Sequence, residues 1–339
     1  MIHVERLADN GAEWDTFARR QPGFTHFHLS RWRDVIDEVF GHECLYLAAR
    51  SESGIEAVLP LVRVRSLVFG HYLVSMPFLN YGGPLGSDEG VRALVAHAVE
   101  TARNDGVKLL ELRSRIPLPI DLDVSHRKIT VILDLQQTAE LTFKGFDAKL
   151  RSQIRRPQKE GVVVKFGVDQ VEPYFHVLAQ HMRDLGTPVQ PLRLFKTIAR
   201  VFPDDAWFAC AYLRGEPVAC GCGFQFADEF EMTWASSLRK FNRESPNMLV
   251  YWSAMERAIA GGLKQFNFGR CTPGGGTHRF KRQWGGRDVD LWWYGLSKDA
   301  QATTPSPNDG AFSWGPRVWR MLPERIATAL GPSIVRYIP

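Results

Sequence analysis

The sequence predicts an α/β (α+β) protein of two lobes, the second repeating the architecture of the first. Three observations carry this. The chain has 339 residues, room for two domains at roughly 150 residues each. Hydrophobic residues make up 45% and charged residues 23%, so each lobe can bury a core of its own. One order of elements then occurs twice: helix, hairpin, strand, loop, helix, strand.

In the first half, Trp32, Val35, Ile36, Val39 and Phe40 have helical apolar spacing. Residues 44–50 (CLYLAAR) and 55–66 (IEAVLPLVRVRS) read as strands around an SESG turn. HYLVSMPF is a third strand running into the Gly- and Pro-rich loop NYGGPLGSDEG. Residues 91–106 form an amphipathic helix that stops at Gly106, and KLLELRSR is a buried strand. In the second half LRLFKTIARVF is a helix, residues 206–226 a hairpin turning at Arg214-Gly215, and FEMTWASSL a strand. The polar loop RKFNRESPN, the helix MLVYWSAMERAIAGG and the strand LKQFNFG complete the repeat. Phe40 with Phe202, Gly54 with Gly215, and Lys108 with Lys264 hold near-constant offsets, the mark of an internal duplication. The expected divisions are a first lobe over 1–145, a second over 146–298 carrying the active site, and a linker with an amphipathic tail over 299–339.

The formal net charge of +5 and a pI of about 9.0 suit anionic ligands such as phosphates, tRNA or an anionic lipid surface. Five cysteines without repeated spacing give no disulfide framework, which points to the cytoplasm. MIHVERLADN has no apolar core of a signal peptide. No apolar run approaches the ~20 residues of a membrane span. The expectation is a cytoplasmic protein, neither exported nor membrane-spanning.

The repeated order matches the core of the GNAT acyltransferase fold. There the acyl donor lies where the fourth strand splays from the fifth, and its pyrophosphate rests on the N-terminus of the intervening helix. The second-half loop RKFNRESPN has no glycine to admit a pyrophosphate. The first-half loop has glycines but also Asp88 and Glu89, acids that suit a helix N-terminus more than a phosphate. The most specific stretch is FNFGRCTPGGGTHRFKRQWG, residues 266–285. Gly269-Arg270 stands at a strand end, Gly274 to Gly276 form a turn, and Lys281 follows between Phe280 and Trp284. A lysine so placed can offset an oxyanion or a phosphate. The same residues also suit an exposed basic β-hairpin with aromatic anchors in the core.

The pattern GR-x-x-x-G-G-G-T-x-x-F-K-x-x-W-G resembles the C-terminal signature of FemAB-like proteins. More narrowly, it is similar to the group associated with exosortase/PEP-CTERM and exopolysaccharide loci. FTHFHLSRWRDVIDEVFGH, SMPFLNYGGPL, HMRDLGTPVQPLRLF and LPERIATALGPSIVRYIP agree, so the resemblance covers nearly the whole chain. It implies a tandem GNAT-like fold and an aminoacyl- or acyltransferase. Its donor would be aminoacyl-tRNA or acyl-CoA, with no tightly bound cofactor. Its acceptor would be an amine or hydroxyl of an envelope or polysaccharide precursor, lipid-linked or free. The resemblance implies that Lys281 contacts the acceptor or the transition state, with Arg270 beside it as the second catalytic candidate.

Binding candidates are Gly269, Phe280 and Trp284 in this stretch, and Trp234 and Asn247 on the strand and loop before it. Tyr81, Gly82 and Gly83 in the first loop are candidates as a turn shaping a cleft between the lobes. Arg151 and Arg155 belong to a basic helix interrupted near Pro157, suited to tRNA or pyrophosphate or simply solvated. His26 and His28, two apart on one strand face, lack a third metal ligand. Cys220 and Cys222 read as small core residues. The tail, with Trp314, Trp319 and several arginines, suits an anionic membrane or a packed position on the lobes. Two rival functions stand beside aminoacyl transfer: a CoA-dependent N- or O-acyltransferase, and a non-catalytic scaffold binding a glycolipid or a polymerase.

Overall fold

The computed structural model describes residues 1–9, 11–66, 68–297 and 315–338. The chain opens with β1 (His3–Arg6), α1 (Ala12–Ala18), α2 (Trp32–Phe40), β2 (Glu43–Ser51), β3 (Gly54–Ser66) and β4 (Gly70–Ser75). It continues through β5 (Leu85–Gly86), α3 (Asp88–Asn104), β6 (Leu109–Ser114), β7 (Asp123–Ser125) and β8 (Ile129–Asp134). Next come α4 (Ala139–Gly145), α5 (Ala148–Lys159), β9 (Val163–Phe166), α6 (Val171–Leu185), α7 (Leu192–Val201), β10 (Ala206–Leu213), β11 (Glu216–Phe226) and β12 (Glu229–Ser237). The remaining elements are α8 (Pro246–Ala260), β13 (Gln265–Cys271), α9 (Gly276–Arg282), β14 (Arg287–Asp290), β15 (Trp292–Ser297), α10 (Gly315–Met321) and α11 (Glu324–Val335).

The strands form two sheets, ordered β1-β2-β3-β4-β6-β15-β7 and β9-β10-β11-β12-β13-β8-β14. Position by position these are one topology used twice, as the repeated element order predicts. In both, the strand before the long helix pairs parallel with the strand after it: β4 with β6, and β12 with β13. The helix between them supplies the crossover a parallel pair requires. In the first sheet α3 lays Val91, Leu94, Val95 and Ala98 over Leu45, Leu59, Leu61, Leu73 and Leu110. In the second, α8 is buried along most of its length, packing on the sheet through Leu249, Tyr251, Ala254 and Met255 and against α5. A helix apolar on all sides is a helix covered on both sides.

The two sheets do not divide the chain where the sequence suggested. β8 pairs antiparallel with β13 of the second sheet, and β15 pairs antiparallel with β6 of the first. The first compact unit is therefore Met1–Lys128 with β15 returning to it, and the second begins at Ile129. The expected boundary at 145/146 falls beyond β8, and the expected second lobe ending at 298 includes a strand of the first sheet. The physical reason is that β6 and β13 are buried apolar strands, and each needs a partner on both edges.

Three local readings also change. His26–His28 is a 3-10 turn and not a strand. α5 runs through Pro157 to Lys159 without interruption. Pro157 gives up one intrahelical N–H there, and its carbonyl accepts Val162 N–H in the closing turn at 2.9 Å. Gly276–Arg282 is a helix and not part of a hairpin. The expected linker 299–311 and Trp314 lie outside the described residues. The two tail helices pack on α6. Gly186 admits the Pro316 backbone, Arg320 donates to the Leu185 carbonyl at 3.2 Å, and Gly331 admits Val189.

β11 and β12 leave no room for a side chain at Gly223, where a Cβ would lie 2.1 Å from the Glu231 carbonyl and 2.6 Å from the Phe230 ring. Gly223→Ala is expected to destabilise the second unit by about 1–3 kcal/mol through this overpacking, read as a lowered midpoint in urea denaturation.

Candidate active site

The site begins where a parallel pair comes apart. β12 pairs with β13 from Glu229–Gln265 to Glu231–Asn267 and no further. Two irregularities open the sheet there. On β12, Cys222 faces Trp234 while Gly223 faces Met232, so Thr233 is an extra, bulged residue. On β13, the register to β8 shifts between Asn267 and Arg270, with Gly269 at φ 71°. That left-handed conformation is cheap only for glycine.

Past Asn267 the backbone of β13 has lost β12 as a partner, and buried carbonyls must find donors elsewhere. Lys281 supplies them. α9 brings its ammonium back onto β13, where Nζ donates to the Gly269 carbonyl at 2.6 Å and the Arg270 carbonyl at 3.0 Å. The residue is 4% exposed. An ammonium carries three donors, and no described residue accepts the third. Burial pushes the Lys281 ammonium down to about 8; Cys271 and Glu231 oppose the shift and the Arg270 charge adds to it. At neutral pH the group is cationic, desolvated and one donor short of satisfied.

Around it lies a buried polar network that periodicity alone did not flag. Asn267 donates to Glu229 at 2.7 Å, accepts from Gly269 N–H at 2.8 Å and accepts from the Thr130 hydroxyl. Glu231 is fully buried, and the Thr233 hydroxyl is enclosed without a partner. The available signal is Glu229-x-Glu231, two acids on one face of a strand that also carries Phe230, Met232 and Trp234. Buried carboxylates so placed are rare without a task.

The same register in the first unit makes Arg113 the counterpart of Gly269, since β4 and β6 part after Val74–Glu111. There the gap is closed by the chain itself. Ser75 Oγ accepts from Arg113 N–H at 2.8 Å, and Gly82 N–H donates to the Arg113 carbonyl at 3.0 Å. The Arg113 guanidinium bonds Glu111 at 2.8 Å and the Leu79 carbonyl at 3.3 Å, and lies 4.5 Å over Trp293. Glu111 holds Arg127 with its other oxygen at 2.8 Å. A Cβ on Gly83 would stand 2.9 Å from the Arg113 carbonyl. His28 fixes this loop from behind: Nε2–H donates to the Gly83 carbonyl at 2.9 Å, and Nδ1 accepts from Thr25. Burial pushes His28 down to about 4, so it is neutral.

The candidates therefore separate. Lys281, Arg270 and Gly269 converge at the diverging strands. Phe280 is half-buried with its ring 5.1 Å from Tyr251, while Trp284 is a core residue 5.6 Å from Phe146. Trp234 is half-buried against Phe195, and Asn247 sits in the first turn of α8. Tyr81 is fully buried, and Gly82 and Gly83 are consumed in closing the first unit's gap.

Arg151 and Arg155 stand with Arg156 and Lys159 along a shallow recess of about 400 Å³ on α5. Arg155 rests on the Phe143 ring, Arg151 is anchored to the Phe146 carbonyl at 2.8 Å, and Arg156 reaches the Arg243 carbonyl at 3.3 Å. That last bond ties α5 to the loop leading into α8. The loop ends with Ser245 at φ 55° and Pro246 as the first helical residue, so one N–H that would otherwise face an anion is missing. Cys220 and Cys222 are buried in β11 with thiols pushed well up by burial. No group of metal-ligating side chains occurs among the described residues.

Diverging parallel strands under a crossover helix are the core of a GNAT-like fold. Residues 144–282 match the family model described as acetyltransferase (GNAT) domain. The second lobe thus carries a GNAT domain, and the chain is an acyltransferase. Among solved structures, FemX is similar with a TM-score of 0.64 at 14% identity, over 86% of this chain and 97% of that one. L-PGS from Bacillus licheniformis is similar with a TM-score of 0.57 at 11% identity, over 99% of both chains. A tandem GNAT protein of the clavulanic acid biosynthesis pathway is similar with a TM-score of 0.52 at 13% identity, over 89% of this chain and 100% of that one. No curated protein sequence matches.

The Lys281 shift has a measurable sign. Between pH 8 and the ordinary lysine value the folded state holds fewer protons than the unfolded state, so stability rises with pH in that window. Relative to Lys281→Met, the wild type is expected to gain up to about 3 kcal/mol in unfolding free energy from pH 8 to pH 10.5, by denaturant titration at each pH.

Proposed function

We propose that this chain is a FemAB-like aminoacyl- or acyltransferase of the exosortase/PEP-CTERM and exopolysaccharide-associated group. It works in the cytoplasm, at the inner face of the cell membrane, on an amine or hydroxyl of an envelope or polysaccharide precursor. The observation that carries this is the buried Lys281 ammonium at the divergence of β12 and β13, with its third N–H uncommitted. The first unit offers no equivalent, because Arg113 and the Gly82-Gly83 loop fill the same place.

In this reading the acceptor nitrogen or oxygen attacks the carbonyl carbon of an activated ester. The new bond forms as the carbonyl oxygen takes up charge, and the ester bond to the donor's oxygen then breaks. The third Lys281 N–H donates to that oxygen, a preorganised donor in a water-poor site. Arg270 adds positive potential. The proton from the acceptor leaves with the departing group, so that alignment of the reactants supplies much of the acceleration.

Charge points to the donor. Arg151, Arg155, Arg156 and Lys159 line one face of α5, and Arg156 joins that face to the loop before α8. Glycine-free and proline-capped, this entry suits a pyrophosphate poorly, whereas a row of anchored arginines suits the phosphodiester backbone of a charged tRNA. The match to an acetyltransferase domain favours acyl-CoA as the second reading.

Lys281→Ala is expected to lower turnover about 10²–10³-fold and, by leaving the Gly269 and Arg270 carbonyls without their side-chain donor, to lower the thermal midpoint as well, so turnover is compared well below that midpoint. Because the cationic form is the useful one, kcat is expected to fall as pH rises through about 8, and this limb should vanish in Lys281→Arg. Calorimetry with charged tRNA and with acetyl-CoA separates the donors. Salt-sensitive binding of one charged tRNA per chain, weakened by Arg151→Ala with Arg155→Ala, is expected. Saturable CoA binding without tRNA binding would transfer the chain to the acyl-CoA reading.

A further inference from the structure

Four large apolar side chains on the two tail helices face solvent. Val318 is 48% exposed, Met321 82%, Ile326 46% and Leu330 48%. These short helices supply four of the eleven exposed large hydrophobic residues in the described chain. The clustering is geometric. Val318 and Met321 are three apart on α10, and Ile326 and Leu330 four apart on α11, so each pair shares one helical face. α11 buries the opposite side, Ala327 and Gly331, with Gly331 against Val189. The outward face is thus not a core stripe awaiting a partner within its own unit.

The charges on these helices have one sign toward solvent. Arg317, Arg320 and Arg325 are exposed. The lone acid, Glu324, is turned to α6, where it lies 3.7 Å from His176. Two exposed apolar pairs flanked by arginines fit an anionic, deformable surface in which alkyl groups can sink and guanidinium groups meet phosphates. A second copy of the same face would bring like charges together. None of the described helices is long and apolar enough to cross a membrane, so contact would be at the surface.

We infer that the outer face of α10 and α11 docks on an anionic phospholipid bilayer, with Val318, Met321, Ile326 and Leu330 inserted and Arg317 and Arg325 on the headgroups. This deepens the peripheral-membrane part of the reading above and does not depend on which group is transferred. The test is co-sedimentation of the full chain with phosphatidylcholine vesicles and with vesicles containing phosphatidylglycerol. Binding to the anionic vesicles is expected, with about fivefold weakening for each of Arg317→Gln and Arg325→Gln. A Val318→Ser, Met321→Ser, Ile326→Ser, Leu330→Ser variant should lose more than about tenfold. These positions are exposed, so far-UV circular dichroism of that variant should match the wild type.

Equal binding to both vesicle types, binding to neither, or full binding by the serine variant would overturn the inference. Self-association that the serine variant abolishes, without vesicle binding, would give the face to a second copy and overturn it as well. Calorimetry with charged tRNA is read separately. Loss of vesicle binding with donor binding intact counts against the membrane face alone, and the converse counts against the transfer reading alone.

Discussion

A parallel pair of strands that parts after three residue pairs leaves backbone carbonyls in the interior with no sheet to bond them. That obligation organises both halves of this protein. In the first it is met from within: Gly82 N–H takes the Arg113 carbonyl, and the arginine side chain fills the space beside it. In the second it is met by a side chain whose charge is costly to bury and which has a donor left over. The same backbone problem thus has a dead solution and a live one. The difference rests on Arg113 in one register position and Gly269 in the other.

The lysine solution draws in its surroundings. α9 has to start at the Gly274–Gly276 turn to return the ammonium to β13, and the rings of Phe280 and Trp284 hold that helix on Tyr251. Glu231, Asn267 and Thr130 set the potential and the geometry below it. Each is buried, and each would be a liability in a strand whose only duty was packing. Desolvation, which depresses the Lys281 pKa, also makes its remaining N–H worth more to an oxyanion than the same group in water.

Much of this was legible in the sequence, and what was not has identifiable causes. The hairpins at Gly54 and Gly215 and the two long helices announce themselves through local turn chemistry and apolar period, so the duplication could be read. Which sheet β8 and β15 join is a long-range choice with no local signature. Lys281 is visible as part of a dense motif, but three glycines and a threonine hide the seven-residue helix that carries it. Tyr81-Gly82-Gly83 reads in the sequence as a turn shaping a cleft, where glycines would admit a close approach. They do, but the approaching group is the protein's own Arg113 carbonyl.

The exchange of β8 and β15 also sets a schedule for synthesis. β6 gains its outer neighbour only when β15 has been made, long after β6 itself has left the ribosome. At ordinary elongation rates that interval is roughly ten to forty seconds. For that time the first sheet carries a raw edge, apolar and hydrogen-bond hungry, the feature that invites strand addition from other chains. The second sheet has no such wait, since β8 precedes every other strand of its sheet. Newly made chains of this protein are therefore most exposed to chaperones and to misassembly through their amino-terminal third.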